Sequence, residues 1–190
     1  MAWLLDLDMS RAFGDGTFPG LLLFLTIVLI IGTATDVRFH KIPNWLTFPT
    51  MTIGVVYHTA AKGWEGFLFS LEGIAVGIAC FAVPYLMGGM GAGDAKLMGA
   101  VGGLLGPAGT FIAFLFTAII GGIYALGLLA FHGHLKETAK RYWIILKTFL
   151  LTGQFIYIPS PPGEKEMRLC YGVAIALGTL ISVFSGISIF

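Results

Sequence analysis

The stretch PGLLLFLTIVLIIGTATD, residues 19–36, carries no charge until its last residue, Asp36. Coiled as a helix it rises about 27 Å at 1.5 Å per residue, close to the roughly 30 Å of hydrocarbon in a bilayer. The rest of the chain has the same character. Of its 190 residues 57% are hydrophobic and 11% charged, whereas about a quarter of a soluble domain is charged. Lipid is therefore the solvent, and the fold class is all-α, a polytopic integral membrane helix bundle. A formal net charge of +1 and the absence of a basic run give no footing for a nucleic-acid partner. The two cysteines, Cys80 and Cys170, lack CxxC spacing, so neither a zinc knuckle nor a disulfide framework is expected. Both read as small apolar side chains.

Working outward, further apolar stretches fall near 45–61, 66–87, 95–106 and 109–131, and a last one closes the chain. About six transmembrane helices are expected, in a single membrane-embedded domain over 1–190. Residues 1–18, with Trp3, Leu4, Leu5 and Leu7, read as a short interfacial segment, since they lack the basic start of a secretory signal. Segment 132–168 mixes lysines with Leu135, Tyr142, Ile145 and Phe149, which suits a helix lying in the interface before the prolines 159, 161 and 162 break it. With the loop after the first span inside, nine of the 11 Lys and Arg lie in the cytoplasm and only Arg11 and Lys62 outside. Positive charge marks the cytoplasmic side, so both termini face outward and the turn at 88–96 faces the cytoplasm. Glycines such as Gly73, Gly77, Gly99 and Gly103 recur along the spans and let helices approach closely.

Ionisable residues within membrane spans are costly and mark candidate sites. Three acids qualify: Asp36, Glu72 and Asp94. Two crossings after Asp36 the chain is back on the same face at Asp94, while Glu72 lies toward the other face. Two converging carboxylates cannot both ionise easily, so they share a proton. The ionised one can take a proton from water as it attacks a peptide carbonyl, and the protonated one can polarise that carbonyl. Spacing alone leaves alternatives open. Asp36 could pair with Arg38 and Lys41, Asp94 could cap a helix, Lys96 could be an interfacial anchor, or the two acids could relay protons in a transporter.

The local sequences discriminate. DVRFHKIPN, residues 36–44, and GAGDAKL, residues 91–97, together resemble the type IV prepilin peptidases, membrane aspartic proteases of the GxGD class. The pattern is an aspartate six residues before Ile-Pro-Asn, met by Asp36 and Ile42-Pro43-Asn44, then Gly-x-Gly-Asp-x-Lys-Leu, met at Gly91 to Leu97. YGVAIALG, residues 171–178, is similar to the last-helix motif of that family.

The resemblance implies that Asp36 and Asp94 are the catalytic pair. Gly91 and Gly93 would permit a tight turn or a close approach, Lys96 would help to place the pair, and Pro43 and Asn44 would shape the loop. No cofactor and no metal are implied, and His40, His132 and His134 make no zinc site. The partners implied are prepilin or pseudopilin precursors and the lipid bilayer, with further copies of the chain an open option. The substrates have a short basic leader ahead of a hydrophobic helix and are cut at the cytoplasmic face of the bacterial inner membrane. The basic stretch Lys136–Lys147 reads as an anchor to anionic lipid. With about 18 residues before the first span and no cysteine pair, the chain is similar to the short enzymes of tight-adherence (Flp) pili, and methyl transfer is not expected. A proton- or cation-coupled transporter and a non-catalytic pilus assembly factor are the rival classes.

Overall fold

Helix α1, Pro19–Phe39, begins on a proline, whose fixed φ and missing N–H suit the first helical position. It ends where His40 turns to a φ of 50° and returns its N–H to the Asp36 carbonyl at 2.8 Å. This is a left-handed C-cap, followed by Pro43, which cannot continue a helix. The computed structural model describes residues 19–86, 90–131, 143, 147, 148 and 170–185. The 1–18 segment lies outside them, as does the interfacial helix expected in 132–168 apart from those three residues.

Two long helices follow, α2 over Asn44–Leu86 and α3 over Ala92–Phe131, and the shorter α4 covers Tyr171–Ser185. The Pro43 carbonyl opens α2 by accepting the N–H groups of Leu46 and Thr47 at 3.1 and 3.4 Å. Neither long helix is straight. In α2, Gly63 has φ 61° and ψ −134°; in α3, Gly106 has φ 72° and ψ −179°. Both conformations are open to glycine and strained for other residues. His58 and Ser70 stand about 18 Å apart along a straight helix, yet they bond the adjacent carbonyls of Leu104 and Gly103. Thus α2 folds back on itself at Gly63. In α3, Met98 lies against Gly77 and Phe114 stacks edge-on to Phe81 with ring centroids 5.6 Å apart. Gly77 and Phe81 are one turn apart on α2, so α3 folds back at Gly106.

Small residues let these limbs meet through their backbones. A Cβ on Gly73 would run into the Gly102 carbonyl, one on Gly102 into that of Gly73, and one on Gly178 into the Thr117 backbone. Around these contacts the core gathers Leu25, Leu29, Phe81, Leu97, Met98, Val101 and Ile175. The opposite faces are apolar and uncovered, with Leu23, Ile30, Leu86 and Ile123 each more than 60% exposed. Among the described residues three helices are long and apolar enough to cross a membrane, and only 28–33% of their most apolar windows is buried inside the protein. Such an inside-out balance fits a bundle solvated by lipid. Thr26, Thr50 and Thr117 each turn their hydroxyls back to the carbonyl four residues earlier at 2.7 Å. These three hydroxyls are thereby satisfied locally, as lipid requires.

The chain divides into two compact units. One comprises 1–121 with 170–190, the other 122–169. Every side chain discussed below belongs to the first.

Candidate active site

Asp36 sits in the last turn of α1, where the helix's own carbonyls disfavour an anion. What holds it there is another helix. The N–H of Gly172, in the first turn of α4, donates to Asp36 Oδ2 at 2.8 Å. The first-turn N–H groups of a helix lack intrahelical partners, and Cys170, preceding α4, has no oxygen in its side chain to cap them. Asp36 supplies that acceptor from 136 positions away. Thr33 Oγ1 adds a bond to the Gly172 carbonyl at 3.2 Å. The close approach needs glycine: a Cβ on Gly172 would lie 2.9 Å from Asp36 Oδ2 and 3.0 Å from its Cβ.

Asp94 lies in the first turn of α3. Its Oδ2 accepts the N–H of Gly91 at 3.1 Å while its own N–H donates to the Gly91 carbonyl at 3.1 Å. The side-chain half of a capping box is thus present, the aspartate at its N3 position reaching back to the Gly91 N–H, while the return bond is a backbone turn. Helix capping therefore accounts for one oxygen of Asp94 and leaves the other for chemistry. Gly93 packs against the loop after α1, where its Cβ would lie 3.2 Å from the Cβ of Ile42. The two aspartate-bearing segments thus touch through Gly93 and Ile42.

Both carboxylates are nearly enclosed, with 7% of Asp36 and 8% of Asp94 exposed. Asp36 is a charged neighbour that acts on Asp94, and both act on the thiol of Cys170. Two buried acids in each other's field are expensive to ionise together. Helix ends that stored such a cost only for stability would do better with neutral caps. Each acid has a backbone amide beside it and lies in the other's field, an arrangement suited to dividing the work of activating water and polarising a carbonyl.

The other residues singled out by sequence behave differently. Lys96 reaches neither aspartate: its Nζ donates to Asn44 Oδ1 at 2.9 Å and lies 5.4 Å from the centre of the Phe48 ring. It ties the start of α2 to the start of α3. Pro43 serves through its carbonyl as the cap of α2. Glu72 is exposed on α2, near the end of the bundle where Gly73 meets Gly102 rather than beside the acids. Among the described residues no three His, Cys, Asp or Glu side chains gather to hold a metal ion.

One expectation needs correction. Cys170 is not a buried apolar filler; it is half-buried, with Sγ 3.5 Å from His40 Nδ1. Burial first, then the Asp36 and Asp94 carboxylates, push its thiol up from the ordinary range. Cys170 and His40 are 130 positions apart, and nothing in either local sequence announces the contact.

A helical chain of membrane-spanning character with two buried acids at helix ends, each in the field of the other, defines a class, the multi-pass membrane proteins with a pair of buried acids. The family is narrower. Residues 23–126, which contain both acids, match the model of the type IV leader peptidase family, and the chain belongs to that family. It is 30% identical over 144 residues to a prepilin leader peptidase/N-methyltransferase of Aeromonas salmonicida, covering 66% of this chain and 45% of that protein. A protein of the same name from Bacillus subtilis is 28% identical over 175 residues, covering 90% of this chain and 57% of its own length. The chain thus spans about half the length of the curated relatives it matches. No solved structure matches it.

Proposed function

We propose that the chain is a membrane aspartic endopeptidase that removes the leader peptide from type IV or Flp-like prepilins, with Asp36 and Asp94 as its catalytic pair. What supports this is a pair of nearly enclosed acids in each other's field, each held by a backbone amide, inside the region that matches the family. The relatives' names join peptidase and N-methyltransferase; the proposal concerns the peptidase alone.

In the reaction, one carboxylate accepts a proton from water as the water oxygen bonds to the scissile carbonyl carbon. The carboxyl group of the other donates its proton to the carbonyl oxygen. The gem-diol intermediate then collapses, breaking the C–N bond, as the newly protonated acid delivers its proton to the leaving amine and the other carboxylate takes back a hydroxyl proton of the diol, which restores the starting state. Gly91 and Gly172 supply the amides that orient the two acids. Gly93 allows the two segments to touch, and Pro43, Asn44 and Lys96 fix the loop between α1 and α2 against α3.

The proposal includes the membrane arrangement. The fold-backs at Gly63 and Gly106 give α2 and α3 two crossings each, for six in all, as one peptidase domain with both termini outside. The acids then lie at the cytoplasmic face of a bacterial inner membrane, where a basic leader stays before cleavage. Co-expression with a pilin precursor tests the reading. Precursor is processed with the native chain and accumulates uncut with Asp36→Asn or Asp94→Asn at equal membrane abundance; processing by either variant at the native level refutes the pair. A proton-coupled transporter would leave precursor uncut in every case.

A further inference from the structure

The loop after α1 and the residue before α4 meet in a contact that the two-acid chemistry does not use. His40 closes α1 in a left-handed conformation, φ 50°, with its N–H on the Asp36 carbonyl at 2.8 Å. Its Nδ1 lies 3.5 Å from Cys170 Sγ. Two residues beyond Cys170, the Gly172 N–H reaches the Asp36 carboxylate. One short loop and one helix start are therefore joined twice, once through side chains and once at the acid itself.

A cysteine and a histidine beside carboxylates invite two chemical readings. As a nucleophile the sulfur must be a thiolate, which cationic surroundings favour. Here burial and two flanking carboxylates favour the neutral thiol, a weak donor to the imidazole nitrogen. The left-handed backbone of His40 points the same way. Outside glycine that conformation is uncommon, although histidine adopts it more readily than most residues, and here it delivers the imidazole to Cys170.

We propose that His40 and Cys170 are positioning residues, a clasp between the end of α1 and the start of α4 that keeps the Gly172 amide on the carboxylate of Asp36. Without it the first turn of α4 is free to fray and Asp36 loses the donor that orients it. This rests on the reading of Asp36 as a catalytic acid.

The test uses purified full-length chain and a pilin-precursor peptide, with kcat and KM measured separately. His40→Gly keeps the backbone conformation and removes the imidazole; His40→Asn places Oδ1 where Nδ1 stood and tolerates a positive φ. Cys170→Ala removes the thiol and Cys170→Ser keeps a donor. His40→Gly and Cys170→Ala are each expected to lower kcat about tenfold with KM within about twofold, as for a slightly misplaced acid. His40→Asn and Cys170→Ser restore most of the rate. The double variant His40→Gly with Cys170→Ala is no slower than either alone, because one contact is lost once.

Native kcat in His40→Gly, multiplying losses in the double variant, or failure of both conservative variants to rescue would overturn the clasp. Complete loss in Cys170→Ser would overturn it in favour of a sulfur nucleophile. Failure of the peptidase reading shows separately, as no cleavage by the native chain or full cleavage by Asp36→Asn, and removes the clasp with it.

Discussion

Gly172→Ala is a one-carbon perturbation aimed at one carboxylate. The added Cβ would lie 2.9 Å from Asp36 Oδ2, 3.0 Å from its Cβ and 3.3 Å from its Cγ. Non-bonded carbons settle at about 3.5–4.0 Å, so the Asp36 side chain must retreat by roughly 0.5–1 Å. The Gly172 N–H···Oδ2 bond, 2.8 Å in the native site, then opens beyond hydrogen-bond range. A hydrogen bond to an ionised group contributes about 1.5–3 kcal/mol, which corresponds to a rate loss of about 10–150-fold if the carboxylate must be oriented to activate water. Misplacing a reacting group by about 1 Å costs on the order of 100-fold. The two routes agree on a fall in kcat of about 10–100-fold with little change in KM. Gly20→Ala is the control, because nothing lies within 4 Å of its Cβ, and it should cleave like the native chain. The assay is precursor-peptide cleavage by the two purified variants, with thermal unfolding followed in parallel. Cleavage by Gly172→Ala within about twofold of native, at unchanged stability, would show that the α4 amide has no part in orienting Asp36.

Three further outcomes follow from the same geometry. Lys96→Met keeps the aliphatic stem over Phe48 but removes the donor to Asn44, so kcat should fall about 3–10-fold, as for one neutral-acceptor hydrogen bond, with Lys96→Arg recovering part of it. Gly73→Leu drives a side chain into the Gly102 backbone and should destabilise the bundle by about 1–3 kcal/mol, read as a lower unfolding temperature in detergent; an unchanged temperature contradicts the backbone contact. Cysteine placed at Ala92 should react with an impermeant thiol reagent only from the cytoplasmic side and cysteine at Lys62 only from outside, and the reverse pattern overturns the proposed orientation.

How much of this was legible in sequence depends on the range of the contact. The length of α1 follows from the uncharged run before Asp36. The stretches near 45–61 and 66–87 part at Gly63, and the stretch near 95–106 ends on Gly106, because a helix that reverses needs backbone angles suited to glycine. The expectation that Asp36 and Asp94 share one membrane face rests on two crossings of a bilayer, and in the structure the charge of Asp36 reaches Asp94. What could not be read is which helix start would meet which helix end. Asp36 looked like a residue at the close of α1, yet its principal partner is the Gly172 amide, far along the chain. Lys96 looked like a neighbour of the acids, yet it reaches Asn44, 52 positions away. Hydrophobic periodicity says which face of a helix is buried and nothing about the polar group that waits there. For the same reason Cys170 passed as a small apolar residue, since its meaning comes wholly from His40 and the two carboxylates around it.

The central claim is that Asp36 and Asp94 together cut a peptide bond, and purified protein decides it. Native chain, Asp36→Asn and Asp94→Asn are incubated with a synthetic pilin precursor, and the products are weighed by mass spectrometry. The account predicts a single cut that releases the leader in the native reaction and a loss of at least about 1,000-fold in each variant, since removing either acid abolishes a proton transfer required in the transition state. Cleavage at the native rate by either variant, with its fold intact by thermal unfolding, would contradict it.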